Sequence, residues 1–221
     1  MQWTQLLAQL ISLGLSSFFL IFSAEPLYCQ IENRYSGINL IGGVTTSHSS
    51  LNSNPHLVVG DSGNVILIFS SRRATNPYEN VYFQIYDHNG QARYFQDALP
   101  VCPQLVSQKS ISAVQDGAGG AYVCWQERRG GGSRDKVYVQ RINANGVRLW
   151  KTEGLEVTDA FYRQRDAKLL LASDGILIVV WTEDRLRQGG SDLWAQAISP
   201  SGQRLWSAGG MAISQSSGVK Q

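Results

Sequence analysis

Three observations predict an all-β chain built of stacked, equal units. A block of 56 residues occurs three times without an insertion: Gln84, Gln140 and Gln196 keep that interval (140 − 84 = 196 − 140 = 56), as do Gly90, Gly146 and Gly202, and Tyr94, Trp150 and Trp206. Each block contains an unbroken apolar run, Val65 to Phe69, Ala121 to Trp125 or Ile176 to Trp181. An apolar run without alternation marks a strand buried on both faces. Each block also carries a turn that opens with Asp, Asn or Ser and closes with Gly. Four short antiparallel strands per block, with inner strands apolar on both sides, are the pattern of a β-propeller blade. Such a sheet cannot cover its own faces and is stable only against neighbours. The expectation is three consecutive four-stranded antiparallel sheets in an incomplete or open propeller. No segment of the repeat has the 3.6-residue apolar period that helical or leucine-rich repeats require.

The strands follow in order. The first is brief, at Leu57-Val58-Val59, Ala113-Val114 and Leu169-Leu170-Leu171. The second is the apolar run, ending in Phe69, Trp125 or Trp181. The third is Val81-Tyr82-Phe83-Gln84, Val137-Tyr138-Val139-Gln140 or Leu193-Trp194-Ala195-Gln196, rich in β-branched and aromatic side chains. The turns Asp87-His88-Asn89-Gly90, Asn143-Ala144-Asn145-Gly146 and Ser199-Pro200-Ser201-Gly202 lead to a short fourth strand that ends in Tyr94, Trp150 or Trp206. The blades are placed at 54–109, 110–165 and 166–221.

The chain ends raise two further expectations. Leu10 to Phe22 is apolar but too short to span a bilayer, which needs about 20 residues. It reads as the core of an export signal within a leader at 1–29, with an uncleaved anchor as the alternative. The mature chain is then secreted, extracellular or periplasmic, with no integral membrane span. Ile38 to Thr45 aligns one interval before Tyr94 to Val101, so 37–53 reads as the outer strand of an incomplete preceding blade. Propellers close with four or more blades. Closure therefore calls for additional blades or for self-association of two chains.

Composition limits the chemistry. With 19 basic and 17 acidic residues the formal net charge is +2, which gives no reason to expect nucleic acid as a partner. Three Cys and three His are too few and too scattered for a zinc framework, and neither a metal nor a cofactor is expected. Cys102 and Cys124 are able to pair in an oxidising compartment, but Cys124 lies in an apolar run and reads as a small buried hydrophobe. The turns at Asp61-Ser62-Gly63-Asn64 and Asp116-Gly117-Ala118-Gly119 lack the alternating oxygen ligands of a calcium loop.

The recurring polar residues admit two readings. Arg73, Glu127, Arg129, Glu183 and Arg185 follow the second strand. They form either a ring of charge that holds an anionic or sugar ligand or anchors for the loops beside them. Recurrence in successive blades favours anchors. Gln84, Gln140 and Gln196 lie mid-strand and need buried partners, expected on the backbone of an adjacent blade. Phe69, Trp125, Trp181, Tyr94, Trp150 and Trp206 read as packing between blades. Tyr78, Tyr162 and Trp194 are candidates for surface contacts. No nucleophile stands near a His, and no catalytic residue is expected.

The motif Gly-x5-Trp-x-Glu-x-Arg, a Gly-rich gap, then Val-Tyr-x-Gln-x-Ile-x3-Gly-x-x-Leu-Trp is carried best by Gly119 to Trp150, next by Gly175 to Trp206, and loosely by Gly63 to Phe95. It resembles the repeats of secreted bacterial β-propeller proteins. That resemblance covers about 37–213, implies an extracellular adhesive or scaffolding role and fixes no catalytic residues. A weaker similarity to quinoprotein propeller repeats rests on the Gly-x-x-Leu-Trp ending alone. The expected function is a non-catalytic module that binds an unidentified protein or polysaccharide. The alternative is a propeller enzyme, a glycan hydrolase or lyase, with its site at the central channel or in missing blades.

Overall fold

A computed structural model describes residues 51–73, 76–94, 98–130, 132, 134–185 and 191–214. The expected export leader at 1–29 and residues 37–50 of the expected outer strand lie outside the described residues. Residues 51–53 open the first strand.

Among the described residues twelve strands form three antiparallel sheets. The first sheet contains β1 (Leu51–Val59), β2 (Val65–Arg72), β3 (Glu79–Tyr86) and β4 (Leu99–Pro100). The second contains β5 (Gln108–Gln115), β6 (Ala121–Glu127), β7 (Lys136–Ile142) and β8 (Leu155–Glu156). The third contains β9 (Arg163–Leu171), β10 (Leu177–Asp184), β11 (Asp192–Ile198) and β12 (Met211–Ser214). Each strand pairs with its sequence neighbour in simple up-and-down order. These are β-propeller blades.

The core lies between the sheets, as the two-faced apolar runs require. Along β6, alternate side chains point opposite ways. Ala121, Val123 and Trp125 pack on Ile66, Ile68 and Phe83 of the first sheet. Tyr122 and Cys124 pack on Leu177, Val179 and Trp181 of the third. Each of these β6 side chains is buried.

Three features differ from the sequence reading. The inner strand is longer than expected because its first half is polar and bulged. Lys109 pairs with Gln126 and Ser112 with Cys124, so two residues of β5 face the single Trp125 of β6. Equivalent irregularities occur in β1 and β9. Asn54, Ser110 and Asp166, each 56 residues apart, take left-handed φ of 52°, 54° and 56°. The extra residue reverses the in–out alternation. It thereby brings Gln108 to the same side of β5 as Ile111 and Ala113, facing the first sheet.

The second difference concerns the fourth strand. It follows the large aromatic rather than ending in it. The turn after the third strand closes with a single bridge, Tyr86 to Ala92, Ile142 to Arg148 or Ile198 to Arg204. The chain then presents the aromatic to the next sheet. Tyr94 Oη donates to the Asn145 carbonyl at 3.1 Å, and Trp150 Nε1 donates to the Pro200 carbonyl at 3.2 Å. These rings rest on Gly146 and Gly202, whose turns need φ of +78° and +85°. A Cβ on Gly202 would stand 3.0 Å from Trp150, whereas a Cβ on Gly90, at φ +75°, meets nothing within 4 Å.

The glutamines also have different partners from those expected. Gln84 Nε2 donates to the Tyr94 carbonyl at 2.9 Å, and its Oε1 accepts from the Tyr94 and Ile85 amides. Gln140 and Gln196 repeat the arrangement on Lys151 and Trp150 and on Ser207 and Trp206. The partners lie in the same sheet. The amide replaces the strand pairing lost where the chain leaves β3, β7 or β11 to place its aromatic.

Gly202→Ala and Gly90→Ala separate the two demands on these turns. Each costs about 1 kcal/mol for the left-handed backbone, and only the first adds about 1–2 kcal/mol for overpacking against Trp150. Urea unfolding of both variants is expected to place Gly202→Ala below Gly90→Ala; equal midpoints would mean that the aromatic does not bear on the turn.

Candidate functional site

The second strands end in a repeated buried unit. In the second sheet, Glu127 Oε2 accepts from Trp125 Nε1 at 2.8 Å and from Gln108 Nε2 at 3.0 Å, while Oε1 accepts from Arg129 Nε. Arg129 Nη2 reaches the Glu153 carbonyl at 2.5 Å, and its guanidinium lies 3.6 Å over the Tyr138 ring. The third sheet repeats the unit. Glu183 Oε2 takes Trp181 Nε1 at 2.9 Å and Gln164 Nε2 at 3.1 Å, its Oε1 takes Arg185 Nε, and Arg185 Nη2 donates to Gly209. Both carboxylate side chains are 0% exposed.

Gln108 and Gln164 extend the unit to the preceding sheet. Gln108 Oε1 accepts from the Val81 amide at 2.9 Å, and Gln164 Oε1 accepts from the Val137 amide at 3.0 Å. Each buried carboxylate is thus connected through one glutamine to the third strand of the neighbouring sheet. The first sheet differs by sequence: Asn52, Phe69 and Ser71 stand where the others have Gln, Trp and Glu. There Arg73 stacks 3.6 Å over Tyr82 and donates to the Ala98 carbonyl at 3.0 Å.

A second cluster forms where the end of β6 meets the starts of β5, β7 and β9. Asp135, just before β7, is buried. Its carboxylate lies 3.2 Å from Lys109 Nζ, 3.2 Å from Arg128 Nε and 3.8 Å from Arg163 Nε. Gln126 Nε2 adds a bond at 3.2 Å. Burial opposes ionisation of Asp135, but the Lys109 ammonium and the Arg128 guanidinium outweigh it and hold the carboxyl below its ordinary value. Three cations share one anion, and all three keep about half of their side-chain surface in water.

Exposed aromatics adjoin them. The Arg134 guanidinium lies 4.6 Å over the Phe161 ring, and Phe161 is 75% exposed. Tyr162 is exposed beside Arg185, which also stacks 3.1 Å over Trp194; Trp194 is buried in the core and is not the surface contact its sequence position suggested. Lys109, Arg128 and Arg163 therefore surround one carboxylate with a local excess of positive charge, and Arg134 precedes Asp135 in the chain. Such a surface can pair guanidinia with carboxylate or sulfate groups and stack rings on an apolar sugar face.

The structure brings together Glu127 with Arg129 and Glu183 with Arg185, and it places Arg73 at the corresponding loop of the first sheet. The sequence reading missed Gln108, Gln164 and Asp135. The two glutamines carry a signal, their interval of 56 residues; Asp135 carries none, since Glu79 and Ser191 occupy the corresponding places. The turn at Asp116 is closed by its own chain: Oδ1 accepts from the Ala118 and Gly120 amides and Oδ2 pairs with Arg141 at 3.0 Å. Cys102 and Cys124 are buried free thiols, and burial pushes the Cys124 thiol up to about 12.

No family model and no curated protein matches the sequence. Among solved structures the chain is similar to an ulvan lyase of a new polysaccharide lyase family, bound to -[GlcA(1-4)Rha3S]-, at 12% identity and a TM-score of 0.50; the match covers 75% of this chain and 42% of that one. It is also similar to an endo-arabinase from Bacteroides thetaiotaomicron VPI-5482, at 13% identity and TM-score 0.45 over 73% of this chain and 61% of that one. An endo-1,4-beta-xylanase from the same organism matches at 13% identity and TM-score 0.46, over 76% of this chain and 60% of that one. The chain thus spans less than two thirds of the length of these structures. The likeness is one of fold. Among the described residues no helix is long and apolar enough to cross a membrane.

The Glu127 unit predicts a specific stability loss. Glu127→Gln puts an amide donor where two N–H groups already donate and leaves Arg129 without its counter-charge. The expected cost is about 3 kcal/mol, the low end for breaking a buried pair, since Arg129 is partly hydrated. Chemical denaturation is the check, and a loss under about 1 kcal/mol, a value typical of exposed pairs, would contradict the buried unit.

Proposed function

We propose that the chain is a non-catalytic β-propeller module that binds acidic polysaccharide outside the cell. The observation that carries this reading is the cluster at the loop end: Lys109, Arg128 and Arg163 gathered on the single buried carboxylate of Asp135, beside Arg134 and exposed Phe161. Asp135 holds the cations in place without neutralising them. A uronate or sulfate on a sugar chain would accept from the free guanidinium N–H groups, and Phe161 or Tyr162 would cover a sugar ring.

The pairs Glu127–Arg129 and Glu183–Arg185, with Arg73, have a different part in this reading. Their polar atoms are engaged by Trp, Gln and backbone partners, which suits anchors of the strand ends rather than ligand contacts. Catalysis on a glycan would call for a carboxyl group open to substrate. The two repeated glutamates are enclosed, and Asp135 is held ionised among cations, which suits an anchor rather than a general acid.

Titration calorimetry with a sulfated polyuronate and with neutral dextran tests this. Binding is expected for the first only, weakening steeply as salt is raised. Arg134→Ala combined with Arg163→Ala is expected to lower affinity about tenfold, or about 1.4 kcal/mol. Equal binding of the neutral glycan, or an affinity untouched by the double substitution, would refute the assignment, and binding only to protein ligands would replace it.

A further inference from the structure

Strand β4 and the link from β7 to β8 enclose a groove between the first and second sheets. Leu99 and Pro100 form one side, and Val147, Arg148, Trp150 and Thr152 form the other. Its volume is about 340 Å³, at the lower end of the range for small-molecule sites. The sides are largely apolar, and Leu99 at 36% and Val147 at 54% exposure leave hydrocarbon open to water. One cation stands among them. Arg148 Nη1 donates to the Pro100 carbonyl at 2.7 Å and so joins the two sides. Its guanidinium has further N–H groups to offer, and among the described residues no carboxylate lies within ion-pair distance of it.

The repeat does not demand this arginine. Ala92 and Arg204 hold the equivalent positions in the first and third sheets. Arg204 turns to its own loop, where it donates to the Ala208 carbonyl at 3.2 Å. Glu156, the counterpart of Pro100, pairs with Lys136 at 3.2 Å. The junction of the second and third sheets is therefore built differently at this edge. A contact required by the scaffold recurs, as the buried Glu–Arg units do, whereas the Arg148 groove occurs at one junction of the two described. It also lies away from Asp135: that residue precedes β7, and the groove is formed by the chain that follows it.

We propose that this groove is a second saccharide site, which takes a single uronate residue. The uronate carboxylate accepts from the free N–H groups of Arg148, the apolar face of the sugar ring lies on Val147 and Pro100, and the Thr152 hydroxyl meets a ring hydroxyl. A charge-assisted fork for the acid and hydrocarbon for the ring distinguish a uronate from a neutral hexose, which lacks the anion, and from acetate, which lacks the ring. This assignment holds whether or not the Asp135 cluster binds a polysaccharide.

Heteronuclear magnetic resonance of the full chain, titrated with glucuronate and separately with glucose and acetate, tests it. Glucuronate at millimolar concentration is expected to shift the Trp150 indole N–H and the amides of 147–152, and neither of the other two to do so. Arg148→Ala is expected to weaken binding at least about tenfold, the worth of one charge-assisted hydrogen bond. Thr152→Trp keeps the arginine and fills the groove from an exposed position, and it is expected to abolish binding while the rest of the spectrum is unchanged. The Arg134→Ala, Arg163→Ala double variant is expected to bind as the parent does, which separates this site from the Asp135 cluster. Absence of shifts, equal shifts with glucose or acetate, shifts confined to the residues around Asp135, or binding that survives Arg148→Ala would each overturn the assignment.

Discussion

Each sheet in this chain carries apolar side chains on both faces, and this constraint governs everything else in the fold. In β6 the odd-numbered side chains reach the first sheet and the even-numbered ones reach the third. The second sheet is therefore covered on both sides; in the first sheet the far face is buried too, at Leu67, Phe69 and Tyr82, whereas in the third sheet the outward side chains of β10 are only half-buried. Stability in such an array belongs to the interfaces more than to the sheets, and the interfaces are filled by large rings. Trp125 and Trp181 are buried almost completely, and each is fixed in rotation by a hydrogen bond to a glutamate two residues on.

That hydrogen bond explains why a charged residue is tolerated in the middle of an apolar array. An isolated carboxylate there would be costly. Here both oxygens are engaged, a guanidinium supplies the counter-charge, and the guanidinium covers a tyrosine or tryptophan face. A glutamine then ties the carboxylate to the backbone of the next sheet. The bulge at Ser110 or Asp166 makes this possible by reversing the alternation of the inner strand. Backbone irregularity, buried charge and inter-sheet register are one arrangement. Its consequence at the loop end is a rigid base for Asp135 and the cations around it.

Much of this was legible in the residues. The repeat, the glycine turns and the unbroken apolar runs announced strands buried on both sides, and Asp87, Asn143 and Ser199 open their turns by accepting from the backbone as their chemistry suggests. The polar first half of the inner strand was not legible. Its bulge shifts the period, so Gln108 and Gln164 fail any alternation test although they recur at the repeat interval. The fourth strand was placed too early because Tyr94 and Trp150 look like strand residues, while they serve to reach the next sheet. Asp135 was invisible for a different reason: it occurs once, Lys109 is brought to it by the pairing of β5 with β6, and Arg163 by the packing of the third sheet on the second.

Hydrogen–deuterium exchange of the backbone amides tests most directly whether burial between sheets sets the stability of this fold. The account predicts that β6 and β7, enclosed on both sides, exchange only through global unfolding and more slowly than β10, whose outward side chains are half-buried. Amides of β6 exchanging as fast as those of β10 would show that each sheet is stable by itself, and the account would fail.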